Sequence, residues 1–134
     1  MDLLIREYNC FQREEVLRLY ERVGWTGYTR RFECMERAFA RSLKIYGAFV
    51  QGELVGLIRA VGDGVTVVYI QDLLVDPAHQ RMGIGKALMT KLLEEYKDVY
   101  QKVLTTDDTE KTLAFYRHIG MKVDEEIGCR VFMC

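Results

Sequence analysis

A short turn with two closely spaced glycines has the composition of an anion-binding site. The segment "QRMGIGKAL" follows a predicted strand and opens a predicted helix. Backbone N–H groups at a helix start lack intrahelical partners, and Gly83 and Gly85 would let an anion approach them closely. Arg81 and Lys86 add positive charge at both ends. The pattern fits a phosphate-binding turn, but it also fits glycines that only shape a tight strand-to-helix connection.

Two familiar phosphate loops do not match this turn. A P-loop requires GxxxxGK[ST], yet Ala87 follows Lys86 and no glycine stands five residues before Gly85. The dinucleotide fingerprint GxGxxG requires a third glycine where this chain has Leu88. A more general pyrophosphate clamp is the interpretation that remains.

Two further side chains could take part in proton transfer. Tyr116 lies in the helical segment "TEKTLAFYRHIG", where the alternative to a chemical role is packing on the apolar face of that helix. Asp72 is the only carboxylate in the interior of the predicted strand before the turn. Strict alternation places Asp72 on the face opposite to Tyr69 and Gln71 unless a bulge shifts the register. A hydrogen-bond anchor is therefore an equal alternative to a catalytic base.

The spacing of hydrophobic residues predicts the elements that position these side chains. A strand at residues 2–8 is followed by two helical segments, the first with a capping box of Asn9 and Gln12 and a stop at Gly24. The segments "KIYGAFV", "ELVGLIRAV" and "VTVVYIQDLLVD" predict an antiparallel meander. The remaining predicted elements are a helix from Ile84 to near Asp98, the strand "KVLTT", a helix capped by Asp108 or Thr109, and the strands "MKVDEE" and "CRVFM".

Length and charge limit the function classes. The 134 residues, about half of them hydrophobic, have the size of one domain, 1–134. A net charge of −1 gives no basic excess for nucleic-acid binding, and no apolar run approaches the roughly 20 residues that span a bilayer. Without a leader-like N-terminal segment, we expect a cytoplasmic protein with no nucleic-acid or membrane partner. Four scattered cysteines predict reduced thiols and no metal site.

The motifs together resemble one family. The segment "VDPAHQRMGIGKAL" is similar to the Q/R-x-x-G-x-G/A signature of the GNAT superfamily of acyl-CoA-dependent N-acyltransferases, and "TEKTLAFYRHIGM" resembles its C-terminal tyrosine helix. The predicted order β-α-α-β-β-β-α-β-α-β-β is also that family's order. The resemblance thus implies a GNAT-like α/β (α+β) fold, with a mixed, mostly antiparallel central sheet flanked by four helices.

The resemblance implies acetyl-CoA as cosubstrate. The turn would hold the pyrophosphate through its backbone, and the preceding strand would pair with the pantetheine arm and hold the oxyanion through an N–H near Leu74. Many relatives have an asparagine where this chain has Thr109, which can still cap its helix. The implied coenzyme A contacts are Leu73, Leu74, Val75, Gln80, Arg81, Met82, Gly83, Ile84, Gly85, Lys86 and Thr109.

The resemblance also implies roles in transfer to an amine. Tyr116 would be the general acid that protonates the leaving thiolate, and Asp72 is a candidate base, with a water chain as the alternative. Trp25 and Tyr28, in "GWTGYTRRF", predict an aromatic wall for the acceptor, with Tyr69 and Gln71 on the neighbouring strand. The alternative for Trp25 is packing at the edge of the core.

We expect an N-acetyltransferase that moves an acetyl group to a primary amine of a small molecule or a protein by direct attack in a ternary complex. A non-catalytic acyl-CoA-binding or sensor module with the same fold is the alternative. The terminal strands could also pair two chains into a homodimer.

Overall fold

The computed structural model describes residues 2–134. Its internal contacts divide the chain into two compact units, one that ends at Leu104 and one formed by Thr105–Cys134. The expectation of a single domain stays a prediction. The strands are β1 (Leu3–Glu7), β2 (Lys44–Val50), β3 (Glu53–Gly62), β4 (Val67–Val75) and β5 (Gln101–Leu104).

Five α-helices accompany the strands. They are α1 (Arg13–Val23), α2 (Thr26–Thr29), α3 (Met35–Ala40), α4 (Ile84–Glu95) and α5 (Glu110–Ile119), with 3₁₀-helices at Phe32–Cys34, Pro77–His79 and Asp124–Ile127. The segment "GWTGYT" therefore contains one helical turn that hydrophobic spacing did not predict. The predicted second helix is divided into a 3₁₀ turn and the short α3.

The sheet has the strand order β1-β2-β3-β4-β5. The first four strands pair antiparallel, as the predicted meander requires, and β5 lies parallel to β4. The turn between β2 and β3 places Gln51 and Gly52 at positive φ, 52° and 79°, which is the backbone that a two-residue hairpin needs. The mixed, mostly antiparallel sheet predicted from the sequence is confirmed.

The two faces of the sheet are packed by different helices. On one face, Leu57 and Leu74 belong to a cluster that includes Val16, Leu19 and Phe39 of the first and third helices. Neighbouring strand residues point to opposite faces. A Cβ added to Gly56 would meet Ile84 and Leu88 at 3.1 and 3.2 Å, so α4 covers the other face.

A bulge interrupts β4 beside its partner β3. Arg59 pairs with Asp72 and Ala60 pairs with Ile70, so Gln71 has no counterpart on β3. Because paired residues share a face, the bulge brings Asp72 to the same face as Tyr69. Strict alternation would have separated these two side chains.

Two predictions made from local sequence are wrong. Gln12, not Asn9, caps the first helix, and it does so without a side-chain hydrogen bond, so the capping box does not form. The strands "MKVDEE" and "CRVFM" are absent among the described residues. Glu126 accepts from the Val123 N–H at 3.3 Å, and Gly128 lies at φ 71°. These local contacts close the acidic segment Asp124–Ile127 into a 3₁₀-helix in place of a strand.

Candidate active site

The glycine turn lies between the end of β4 and the start of α4. The 3₁₀-helix Pro77–His79 leads into it, and Gln80 donates from Nε2 to the Val75 carbonyl at 3.2 Å. Arg81 and Gly83 both have positive φ, 67° and 79°. Two left-handed residues within three positions fold the backbone sharply just before the helix start.

The start of α4 has the features of an anion cradle. Its first ladder bond runs from the Ala87 N–H to the Gly83 carbonyl at 3.0 Å, so the amides ahead of it in the first turn have no acceptor inside the helix. A Cβ on Gly83 would meet nothing within 4 Å, which shows open space beside the backbone. The side chains of Arg81, Met82 and Lys86 are exposed around it. The N-terminal partial charge of a twelve-residue helix therefore faces an accessible position.

Asp76 fixes the approach to this turn. Its carboxylate accepts from the Ala78 N–H at 2.9 Å and from Arg22 Nη1 at 2.7 Å, and its own N–H donates to the Val55 carbonyl at 2.8 Å. Burial by itself would raise the pKa of Asp76, but these hydrogen bonds and the charge of Arg22 lower it. Sequence reasoning missed this anchor, although Asp before Pro is a known signal for a helical cap.

The edge of β4 next to the turn is open. Strand β5 pairs with β4 only over Val67–Ile70, and among residues 2–134 no strand pairs with the following part of that edge. Leu73, Leu74 and Val75 lie there, paired with β3 on their other side. An extended ligand with amide groups could add to this edge as a strand does. The open edge leads directly into the anion cradle.

A buried polar network lies beneath the bulge of β4. Asp72 is 1% exposed and accepts from Arg59 Nε at 2.7 Å, Tyr20 Oη at 2.8 Å and Tyr28 Oη at 2.9 Å. We call these four residues the Asp72 network. Burial followed by the charge of Asp72 raises the pKa of Tyr20 well above its usual value. The arrangement is that of the hydrogen-bond anchor, and the catalytic role of Asp72 stays a prediction.

Two members of the Asp72 network were not found from sequence. Arg59 stands in the otherwise apolar strand segment "GLIRAV" and is only 5% exposed. Burial works to lower the pKa of Arg59, but the charge and hydrogen bond of Asp72 outweigh it and raise that pKa. A charged residue in such a run is a usable signal, since buried charges are paired. Tyr20 lies among the apolar residues of the first helix, so the sequence pattern alone predicts only core packing for it.

The predicted acceptor residues are close together. The ring centroids of Tyr20, Trp25 and Tyr28 lie 5.4 to 6.0 Å apart, and the Trp25 and Tyr28 rings are half-buried. Gln71, exposed at the bulge, donates from Nε2 to Tyr28 Oη at 3.0 Å. Tyr69 shares the face of Asp72 and pairs with Val103 of β5. An aromatic wall with one exposed amide thus borders the bulge.

Thr109 and Tyr116 lie in the C-terminal unit. Thr109 caps α5 by accepting from the Thr112 N–H at 3.2 Å, so the predicted cap is confirmed, and Gly120 ends the helix at φ 107°. Tyr116 is half-buried beside Phe115, with ring centroids 5.0 Å apart. Burial, with a smaller contribution from the charge of Asp107, raises the pKa of Tyr116. The phenol therefore keeps its proton at neutral pH.

Comparison with known proteins assigns the family. Residues 3–121 match the model of the acetyltransferase (GNAT) family. The chain belongs to the GNAT family. Among curated relatives, histone acetyltransferase TAP1 of Glycine max is 37% identical over 78 residues, which are 57% of this chain and 33% of that protein. This chain thus spans about a third of the length of that GNAT relative.

Solved structures share the GNAT fold. A GNAT family acetyltransferase from Streptococcus pneumoniae TIGR4 superposes with a TM-score of 0.90 at 41% identity, covering 99% of this chain and 97% of that one. The PaiA N-acetyltransferase of Thermoplasma acidophilum, solved in complex with coenzyme A, has a TM-score of 0.78 at 18% identity, covering 92% and 91%. The second likeness concerns the fold alone.

The GNAT site of this chain fits coenzyme A on its own geometry. The open edge of β4 matches the extended, amide-bearing arm, and the cradle at Gly83 matches the pyrophosphate. In the described part of the chain, no helix is long and apolar enough to span a membrane. No group of three histidine, cysteine or acidic side chains within residues 2–134 could hold a metal ion.

Proposed function

We propose that this protein is an N-acetyltransferase that moves an acetyl group from acetyl-CoA to a primary amine in a ternary complex. The observation that carries the proposal is the open edge of β4 at Gln71–Val75, which leads into the helix start at Gly83, where the backbone has open space beside it. The β4 edge can pair with an extended, amide-bearing arm, and the helix start at Gly83 can receive a pyrophosphate. Membership of the GNAT family supports the same reaction class.

The residues of the turn and of β4 bind and orient the cosubstrate. Acetyl-CoA supplies the acetyl thioester. The backbone from Gln80 to Lys86 holds its pyrophosphate, and Leu73 and Val75 hold its amide-bearing arm. A backbone N–H near Leu74 holds the negative charge that develops on the carbonyl oxygen during attack. Because these donors belong to a strand and a helix start, they need little rearrangement when the charge forms.

Tyr116 is the general acid of the proposed reaction. The departing thiolate needs a proton, and a phenol can supply it only if it is still protonated when the thiolate leaves. The burial that raises the pKa of Tyr116 keeps it in that state. The direction of the shift therefore keeps the phenol in the protonated state that a general acid needs.

Asp72 is a positioning residue in this proposal, and the amine loses its proton to water. The Asp72 carboxylate already accepts from one guanidinium and two phenols. The Asp72 side chain is 0% exposed and lies 2.7 Å from Arg59 Nε, so it is buried in an ion pair away from the surface. These contacts favour the anchor role over the candidate base.

An assay of thiol release tests the proposed function. The purified chain is mixed with acetyl-CoA and with 2-phenylethylamine, glucosamine or a lysine-containing peptide, and free thiol is measured against time. Amine-dependent thiol release, with the N-acetyl product identified by mass spectrometry, is expected for at least one amine. Tight acetyl-CoA binding without turnover of any of them would instead support the acyl-CoA-binding module.

We also propose that the chain forms a homodimer through its C-terminal segment. Val131, Phe132 and Met133 are 52%, 94% and 82% exposed, and contiguous exposed apolar side chains mark interaction surfaces. The two predicted terminal strands do not form among the described residues, so the proposal rests on these side chains alone. Light scattering should give twice the chain mass for the wild type and a lower mass for Phe132→Ser. A wild-type monomer would contradict it.

A further inference from the structure

A chain of hydrogen bonds runs from the buried ion pair to the surface of the bulge. Arg59 donates to Asp72, Tyr28 donates to Asp72, and Gln71 donates to Tyr28, over 2.7, 2.9 and 3.0 Å. The Arg59 and Asp72 side chains are buried, Tyr28 is half-buried, and Gln71 is exposed. The chain thus connects a fixed charge in the core to one amide group at the rim of the candidate acceptor site.

The direction of every bond in this chain follows from the charge at its inner end. A carboxylate facing a guanidinium can only accept, so Tyr28 must use its single proton to donate to Asp72. The Tyr28 oxygen then has only lone pairs left and can only accept. Gln71 must therefore turn its NH₂ end towards Tyr28, and its carbonyl oxygen, Oε1, faces away from Tyr28.

We propose that Asp72 sets the orientation of the Gln71 amide through Tyr28, and that Gln71 Oε1 is the group that receives the N–H of the acceptor amine. The inference rests on the proposed acetyltransferase function and deepens it. Gln71 is then the specificity-determining residue for the acceptor, and Asp72 and Tyr28 are positioning residues. Gln71 is exposed, so its side-chain amide lies at the protein surface.

This arrangement defines the class of acceptor. A fixed carbonyl oxygen accepts from an N–H donor and gives nothing to an acceptor-only group, so it discriminates in favour of an amine. The half-buried rings of Trp25 and Tyr28 beside it, tilted by 34° to each other, offer an apolar aromatic surface. Because Arg59 neutralises Asp72, no net charge of the network reaches the surface. The site therefore fits a primary amine on an aromatic or apolar body.

Steady-state kinetics with matched variants test the orientation. The probe is whichever of 2-phenylethylamine, glucosamine and the lysine peptide the wild type acetylates fastest. Gln71→Leu should raise the KM for that amine about tenfold, the size of one lost hydrogen bond to a charged group, with kcat and the KM for acetyl-CoA within about twofold. Gln101→Leu, at an exposed glutamine of β5, is the control and should change none of them.

A double-variant comparison tests whether Gln71 acts through Tyr28. Tyr28→Phe keeps the ring but removes the oxygen that holds the Gln71 amide, so it should also raise the amine KM. The double variant should be no worse than Gln71→Leu alone, because both changes remove the same oriented carbonyl. Tyr46→Phe, which removes a hydroxyl that donates to Glu95 at 2.9 Å, is the matched control.

The outcomes separate this inference from the proposed function. Wild-type turnover with an unchanged amine KM in Gln71→Leu would overturn the inference and leave the acetyltransferase standing. Fully additive effects of Tyr28→Phe and Gln71→Leu would also overturn it, since a purely structural role of Tyr28 predicts additivity. A wild type that acetylates none of the three amines would overturn the function and the inference with it.

Discussion

Arg59 and Asp72 face each other across β3 and β4, with 2.7 Å between Nε and Oδ2, and their side chains are 6% and 0% exposed. The bulge at Gln71 makes this meeting possible. Through Tyr20 and Tyr28 the same carboxylate ties the first two helices to the strand that carries the candidate site. One buried pair thus connects the packing of that face with the side chains at its rim.

Asp72→Asn should lower the free energy of unfolding by about 3 kcal/mol, because it leaves the buried Arg59 charge without its counterion. Urea unfolding followed by circular dichroism measures the change. Asp98→Asn, at an exposed aspartate, is the control and should change it by less than about 0.5 kcal/mol. An equal loss in both variants would contradict the importance of the pair.

Asp76 should contribute to the acid sensitivity of the fold. The hydrogen bond from Ala78 and the charge of Arg22 lower its pKa in the folded state against the opposing effect of burial. Its stabilisation is therefore present above roughly pH 4, the unfolded value, and is lost as the pH falls through the folded value. Unfolding free energies measured from pH 6 down to pH 2 should decline less steeply in Asp76→Asn. Parallel curves for the two proteins would rule this out.

Gly83→Glu should weaken acetyl-CoA binding about a hundredfold, or ~2.7 kcal/mol, because it places a negative charge where the pyrophosphate is expected. Calorimetric titration with acetyl-CoA gives the affinity. Gly128→Glu controls for backbone strain, since Gly128 also lies at positive φ, 71° against 79°, and neither glycine has an atom within 4 Å of an added Cβ. Unchanged affinity in Gly83→Glu would remove the turn from the binding site.

Tyr116→Phe should lower kcat about a hundredfold and leave acetyl-CoA affinity unchanged, because it removes the proton donor alone. Since burial raises the pKa of Tyr116, wild-type kcat should not fall as the pH rises from 8 to about 9.5, where an acid with a lower pKa would be lost. Tyr100→Phe, at a tyrosine that is 84% exposed, should behave as wild type. A Tyr116→Phe enzyme of normal kcat would show that another group protonates the thiolate.

Local sequence patterns determined the regular elements of this protein well. The meander, the helix from Ile84 and the helix capped by Thr109 depend on hydrophobic periodicity, glycine stops and side-chain caps, which act within one turn or hairpin. The same approach was wrong for "MKVDEE" and "CRVFM", where short strand-like spacing competed with the local hydrogen bond of Glu126 and the left-handed Gly128.

Some parts of the candidate site could be predicted from the sequence, whereas others required the tertiary structure. The sequence by itself determined the glycine turn, because the positive φ at Gly83 and the helix start beside it are local properties, and it marked Trp25 and Tyr28 as neighbours. Only the tertiary structure decided the contacts of Asp72. Which face a strand residue occupies depends on register with a partner strand, and the bulge at Gln71 exists only in the pairing of β3 with β4. The partners Arg59 and Tyr20 are 13 and 52 residues away along the chain, beyond the reach of any local pattern.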